Sequence, residues 1–232
     1  MKVGTGDEPM GHAESARGET GSGRTVFGLG DDYFVSAHGR VEFIVFEYRV
    51  ASLAWLRDRT VRSVDAELAE LRAMRVRGAH RVPGWEGESD LVLDESLGVL
   101  DADTRQIGAG IVVVSAAAAL DSLMNQMLDR PSDVRLHRAG LARKADELAV
   151  RWRTAIDTAE FLEDVAWLRK RRNAFAHRLI DDESGSTSNE VFDDAMAQEA
   201  LVRTSAIAWM LEEGWEQHLM SQNQPATARA DC

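Results

Sequence analysis

Fifteen consecutive residues, Gln106 to Leu120, carry no charge. The run is short for a membrane span, which needs about 20 predominantly apolar residues. It is also interrupted by Gln106, Gly108, Gly110 and Ser115. Ile111 to Val114 is β-branched and would suit a strand, but the alanine run that follows favours helix. The stretch therefore predicts a buried core helix and no membrane association.

The rest of the chain supports an all-α reading. Among 232 residues there are four prolines and two tyrosines, so neither helix breakers nor strand formers are abundant. From Asp31 to Met74 apolar residues recur at Val41, Ile44, Val45, Tyr48, Leu53, Leu56, Val64, Leu68 and Leu71, a spacing near one helical turn. Gly39 marks a break or the true start of that helix. Gly78 to Leu100 holds Gly78, Pro83, Gly84, Gly87 and Gly98 among short apolar runs and predicts a connecting loop, at most with a helical turn. Asp103-Thr104 can cap a helix running to about Asp129. A further stretch opens at Ser132 or Asp133 and runs to about Ile156, with a break at Gly140. Asp157 or Thr158 caps the next helix, Thr158 to Ile180, with Glu160 in its first turn. A last helix runs from about Glu190 to Met220, with Phe192, Met196, Ala200, Leu201, Ile207 and Leu211 facing inward. Short connections near Pro131, Asp157 and Ser184 predict antiparallel neighbours. No strand and no solenoid-type repeat is evident. The domain plan is a disordered tail (1–30), a long helix with its connector (31–100), a helical bundle (101–221) and a second tail (222–232).

Charge and cysteine content narrow the functional classes. The net charge of −12 argues against broad, non-specific nucleic-acid binding. Local charge tells otherwise from Ala166 to Ile180, where five basic residues meet no acidic one. Cys232 is the single cysteine, so no intrachain disulfide and no Cys₂His₂-type zinc site is expected. A reducing cytosol suits such a chain, and residues 1–30 show no secretory apolar region. Asp181, Asp182 and Glu183 are consecutive and do not project to one point, so a solvated loop is expected there rather than a metal site. No cofactor is expected.

The basic segment contains Arg172-Asn173-Ala174-Phe175-Ala176-His177. Arginine offers a permanent charge and a planar fork of donors that fits phosphate. Histidine gives and takes protons near neutral pH. An arginine, an asparagine and a histidine in one local motif are the chemistry of cutting a phosphodiester without a metal. A plainer reading of His177 is a histidine favoured by the negative end of the helix dipole.

The motif resembles the Arg-x(4–6)-His signature of the HEPN family (higher eukaryote and prokaryote nucleotide-binding domains), in which the residue after the arginine is typically polar. Arg172, Asn173 and His177 match at the shortest spacing. The segment 118–128, in which Asp121 follows an Ala-Leu pair, is similar to the family's earlier core helix, and Lys144-Ala-Asp-Glu-Leu to its lysine-bearing segment. The resemblance covers about Thr104 to Met220 and leaves the helix at 41–74 as an addition. It implies a helical bundle that dimerises through the motif face, metal-independent RNA cleavage, and a place among toxins or phage-defence proteins. By the same analogy, the partner is a cognate antitoxin or a nucleotidyltransferase. Non-catalytic members also exist, so a dimerising or protein-interaction module is the alternative. A third reading is a coiled-coil regulator built on helix 41–74.

Geometry adds a constraint. Asn173 and His177 are one turn apart and share a helix face. Arg172 and His177 lie about 140° apart around a regular helix axis. A kink, or pairing of two chains across a two-fold axis, would bring them together. Arg169, Lys170 and Arg171 are candidates for the RNA backbone. They fit equally a solvated face balanced by Glu160, Glu163 and Asp164. Trp152, Trp167 and Trp209 fall on apolar faces and are expected in the core rather than stacking on bases.

Overall fold

The computed structural model describes residues 25–180 and 190–223. Among these residues every regular element is helical. They are α1 (Val26–Gly30), α2 (Val41–Arg77), α3 (Glu86–Gly98), a π-helical segment (Val99–Thr104), α4 (Arg105–Met127), a 3-10 segment (Pro131–Arg138), α5 (Leu141–Arg151), α6 (Thr158–Ile180) and α7 (Asp194–Asn223).

The uncharged run forms the central helix. α4 packs against α2, α5, α6 and α7, and it buries residues all around its axis, from Ala109 and Val112 to Leu120, Leu123 and Met127. Small side chains make this central position workable. A Cβ placed on Gly110 would lie 1.9 Å from the Phe175 ring of α6, so that ring rests directly on the α4 backbone. The apolar helical run Glu86–Met127 is long enough to cross a membrane by length and composition alone, yet 56% of its most apolar window is buried. Burial inside a helical core accounts for that apolarity.

The helix expected as an addition is part of the core. Phe43, Phe46, Val50 and Ala54 of α2 belong to the same buried cluster as Val113 and Leu120 of α4 and Leu201 and Leu211 of α7. Gly39 adopts φ +63° at its start and Gly78 φ +66° at its end. Between α1 and α2, residues 36–38 are pinned by buried Glu212 of α7. That carboxylate accepts from the Ser36 hydroxyl at 2.6 Å and from the Ala37 and His38 amides at 3.0 Å each. Expected as part of a disordered tail, residues 26–30 instead form α1, which packs on α2 with Gly30 against Ala51.

The expected connecting loop at 78–100 is largely helix. α3 packs on α2 through buried Leu93, and His80 and Arg81 hold Asp90 at 2.6 Å and 2.9 Å. The pair of acceptor contacts keeps the Asp90 carboxyl well below its ordinary range, at about 2, with Arg81 the larger influence and His80 the second. The Asp103-Thr104 cap is not used, because the chain passes through the π segment into α4 without a break. The stretch expected from Ser132 or Asp133 to about Ile156 breaks at Gly140, as anticipated, into the 3-10 segment and α5, and α5 ends at Arg151 rather than near Ile156. Arg151 of α5 joins them by pairing with Asp133, both nearly fully buried. The last helix starts at Asp194 rather than Glu190, though Phe192 is buried as expected. Trp152 is buried and Trp167 packs partly against the core, whereas Trp209 is half exposed. The side chain of Leu179 and the acidic triplet 181–183 fall outside what the structure describes.

Candidate functional site

α6 begins where Asp157 caps it, its carboxylate accepting from the amides of Ala159 at 3.0 Å and Glu160 at 3.2 Å. One stripe of the helix then enters the core: Phe161, Val165, Leu168 and Phe175 are all buried. Phe175 sits inside the Arg-Asn-Ala-Phe-Ala-His motif and meets Phe192 edge-on at 5.1 Å. The middle of the motif thus fastens α6 to α4 and to the segment before α7.

The polar residues of the motif point elsewhere. Arg172, Asn173 and His177 are exposed, as are Arg169 and Lys170. Lys170, Asn173 and His177 recur at three- and four-residue steps and share one outward stripe. α6 is a single continuous helix. On a regular helix Arg172 and His177 lie about 140° apart around the axis. Asn173 and His177, one turn apart, share a face, and Arg172 lies on its flank.

Arg171 differs from its neighbours. Its guanidinium stacks on Trp167 at 4.4 Å, and its Nε lies 3.0 Å from a Glu190 carboxylate oxygen. Arg203 of α7 covers the same indole at 5.0 Å and pairs with Asp164 and with Glu199, the latter at 2.6 Å. Burial raises the Asp164 carboxyl above its usual range, with Arg203 opposing. Arg171 is thereby part of the α6–α7 packing, while Arg169, Lys170 and Arg172 face water.

One relation escaped the sequence reading. Lys144 of α5, almost fully buried, places its ammonium 2.9 Å from both oxygens of Asp121 on α4. These residues mark the two segments that carried the family resemblance outside the motif. A lysine on the inner face of α5 was the available signal, since lysine is rarely buried unless paired. Among the described residues no group of three or more His, Cys, Asp or Glu side chains gathers to hold a metal ion. Compared with protein-family models, curated proteins and solved structures, the chain matches none.

Proposed function

We propose that the chain is a metal-independent endoribonuclease of HEPN type, acting as a homodimer in the reducing cytosol. One observation carries the reading. The same helical turns that bury Phe175 present Arg172, Asn173 and His177 to solvent, where no hydrogen bond or ion pair to another described residue holds them. A guanidinium that fits phosphate and an imidazole that carries protons near neutral pH, both open to solvent on one short motif, can reach a phosphodiester.

In this reading two chains apply their α6 faces to one RNA. One His177 takes the proton from the ribose 2′-OH, whose oxygen attacks the adjacent phosphorus. The partner copy's histidine protonates the departing 5′-oxygen. Arg172 stabilises the charge on the phosphorane oxygens, and Asn173 orients the histidine or the phosphate. A cyclic 2′,3′-phosphate and a 5′-hydroxyl result. Arg169 and Lys170 steer the backbone, and Arg171 contributes through the packing of Trp167. The family likeness further suggests a toxin or defence role with an antitoxin or nucleotidyltransferase partner.

The test is cleavage of RNA by purified protein in EDTA, with end-group analysis and light scattering. Cyclic phosphate ends, loss of cutting with a 2′-deoxy scissile residue, and a dimer are expected. Full activity of a monomer, or cutting that survives loss of the 2′-OH, would refute the mechanism. A second reading, a non-catalytic helical interaction module, draws on the separation of Arg172 and His177 around an unbroken α6. It predicts no RNA cleavage beyond background at any protein concentration.

A further inference from the structure

Unpaired positive charge gathers between α4 and α5, on a chain whose net charge is −12. Residues 130–143 carry Arg130, Arg135, His137, Arg138 and Arg143, all of them exposed. The side chains of Arg135, His137, Arg138 and Arg143 make no hydrogen bond or ion pair with another described residue. The stretch has a single acid, Asp133, and the fold removes it from the surface. Its buried carboxylate accepts from the Arg130 amide at 2.9 Å and from the Arg151 guanidinium at 2.9 Å.

The 3-10 geometry explains this division. Three residues per turn give Pro131–Arg138 three faces. Asp133 and Leu136 turn inward, the first buried and the second packed against the core. Ser132, Arg135 and Arg138 share another face, the two arginines about 6 Å apart along the axis. The buried ion pair thus holds in place a segment whose outer face is cationic.

That face continues toward α6. α5 and α6 pack together across the connection 152–157 and run antiparallel. Leu141 stands as far back from Arg151 as Leu168 stands forward from Thr158, so the start of α5 lies level with Leu168 and Arg169. Trp167 and Arg171 mark the flank of α6 that meets α7. Arg169 and Arg172 lie about 160° and about 140° from Trp167 around the axis, on the flank that α5 approaches.

We propose that Arg135, Arg138 and Arg143 lead, by way of Arg169, the phosphate backbone of an RNA strand to the α6 motif. Every permanent cation on this path is an arginine, whose planar fork pairs with two phosphate oxygens where an ammonium would act as a point charge. Within 130–143 Val134 is the only large hydrophobic residue that is exposed, too little apolar surface to seat in a lipid bilayer. The choice of RNA rests on the ribonuclease reading; the cationic surface does not.

The experiment uses the full chain and a fluorescein-labelled 2′-O-methyl RNA of about 20 nucleotides, which 2′-OH attack cannot cut, with affinity read by anisotropy over a range of salt. The double variant Arg135→Ala/Arg138→Ala should flatten the dependence of log K on log salt by about 1.4, since each lost phosphate contact on a single strand contributes about 0.7. At about 0.1 M salt its affinity should fall roughly tenfold to thirtyfold, and the difference should vanish toward 1 M. Arg49→Ala/Arg77→Ala removes the same charge from exposed positions on α2 and should leave the slope unchanged. An unchanged slope in the first pair, or an equal loss in both, would overturn the assignment. Equal affinity for polyglutamate or for phosphatidylserine vesicles, lost in the same variant, would overturn RNA as the occupant. Binding with the expected slope but no cleavage of unmodified RNA would sink the ribonuclease reading and leave this surface standing. Cleavage of RNA with binding indifferent to Arg135 and Arg138 would do the reverse.

Discussion

Gly110→Ala tests the contact that fixes the motif helix on the core. Two effects oppose one another. Alanine in a helix interior is favoured over glycine by about 1 kcal/mol. Against this, the new methyl would sit 1.9, 2.1 and 2.4 Å from three carbons of the Phe175 ring. The ring is rigid, only 3% exposed, and backed by Phe192. Overpacking at such a site costs about 3 kcal/mol, the upper end of its ordinary range. The net expectation is a loss of about 2 kcal/mol. In urea denaturation followed by circular dichroism, that loss lowers the midpoint by roughly 0.7 M for a slope near 3 kcal/mol/M. Phe175→Leu alone should cost roughly 1.5 kcal/mol from lost apolar burial. The double variant should be more stable than the sum of the single effects predicts, by at least about 1 kcal/mol, because the smaller side chain makes space for the methyl. A Gly110→Ala midpoint at or above that of the unmodified protein would refute the close seating of Phe175. Additivity of the two substitutions would refute it independently.

The buried Lys144–Asp121 pair is asymmetric: Asp121→Ala strands an ammonium and should cost about 3 kcal/mol, whereas Lys144→Met should cost clearly less, as read from denaturation midpoints. Asp90 has a depressed folded pKa, so its stabilising contribution is complete above the ordinary carboxylate range near pH 4 and is lost as pH falls toward about 2. A carboxyl-carbon NMR titration should place its midpoint near 2, with the α2–α3 turn loosening over the same interval. Arg172→Ala and His177→Ala should each change unfolding free energy by less than about 0.5 kcal/mol, because both side chains are exposed. In the ribonuclease assay each should lower the rate by about 10²-fold or more, and Arg172→Lys should not restore it fully.

Local signals were sufficient for α4 and α6. The uncharged run and the alanines at 116–119 identify a core helix, and the Asp157 cap with its apolar stripe gives α6 its bounds. Less was legible where tertiary contacts override local preference. Gly87 and Gly98 disfavour helix, yet α3 forms because Leu93 finds α2 and because Asp90 is held by His80 and Arg81. Asp103-Thr104 has the composition of a cap, but a residue in a continuous helix has no terminal amides to satisfy. Trp209 lies on an apolar pattern yet is half exposed, since helical periodicity gives a direction and not the presence of a neighbour. The motif residues could be named from spacing. Their exposure required the packing of Phe175.

The π segment at Val99–Thr104 gives the molecule a phase relation between two helices that are covalently one. A π turn closes its hydrogen bonds over one residue more than an α turn. Each residue in that wider turn sweeps less than the roughly 100° of an α residue, so the extra residue is absorbed. Deleting one residue between 99 and 104 would let the run close as ordinary α-helix, with its hydrogen bonds intact. α3 would keep nearly its azimuth and Leu93 its seat on α2. The six residues behave as slack that takes up one residue without turning what lies beyond it. Related chains that lack that residue could carry the same face on α3.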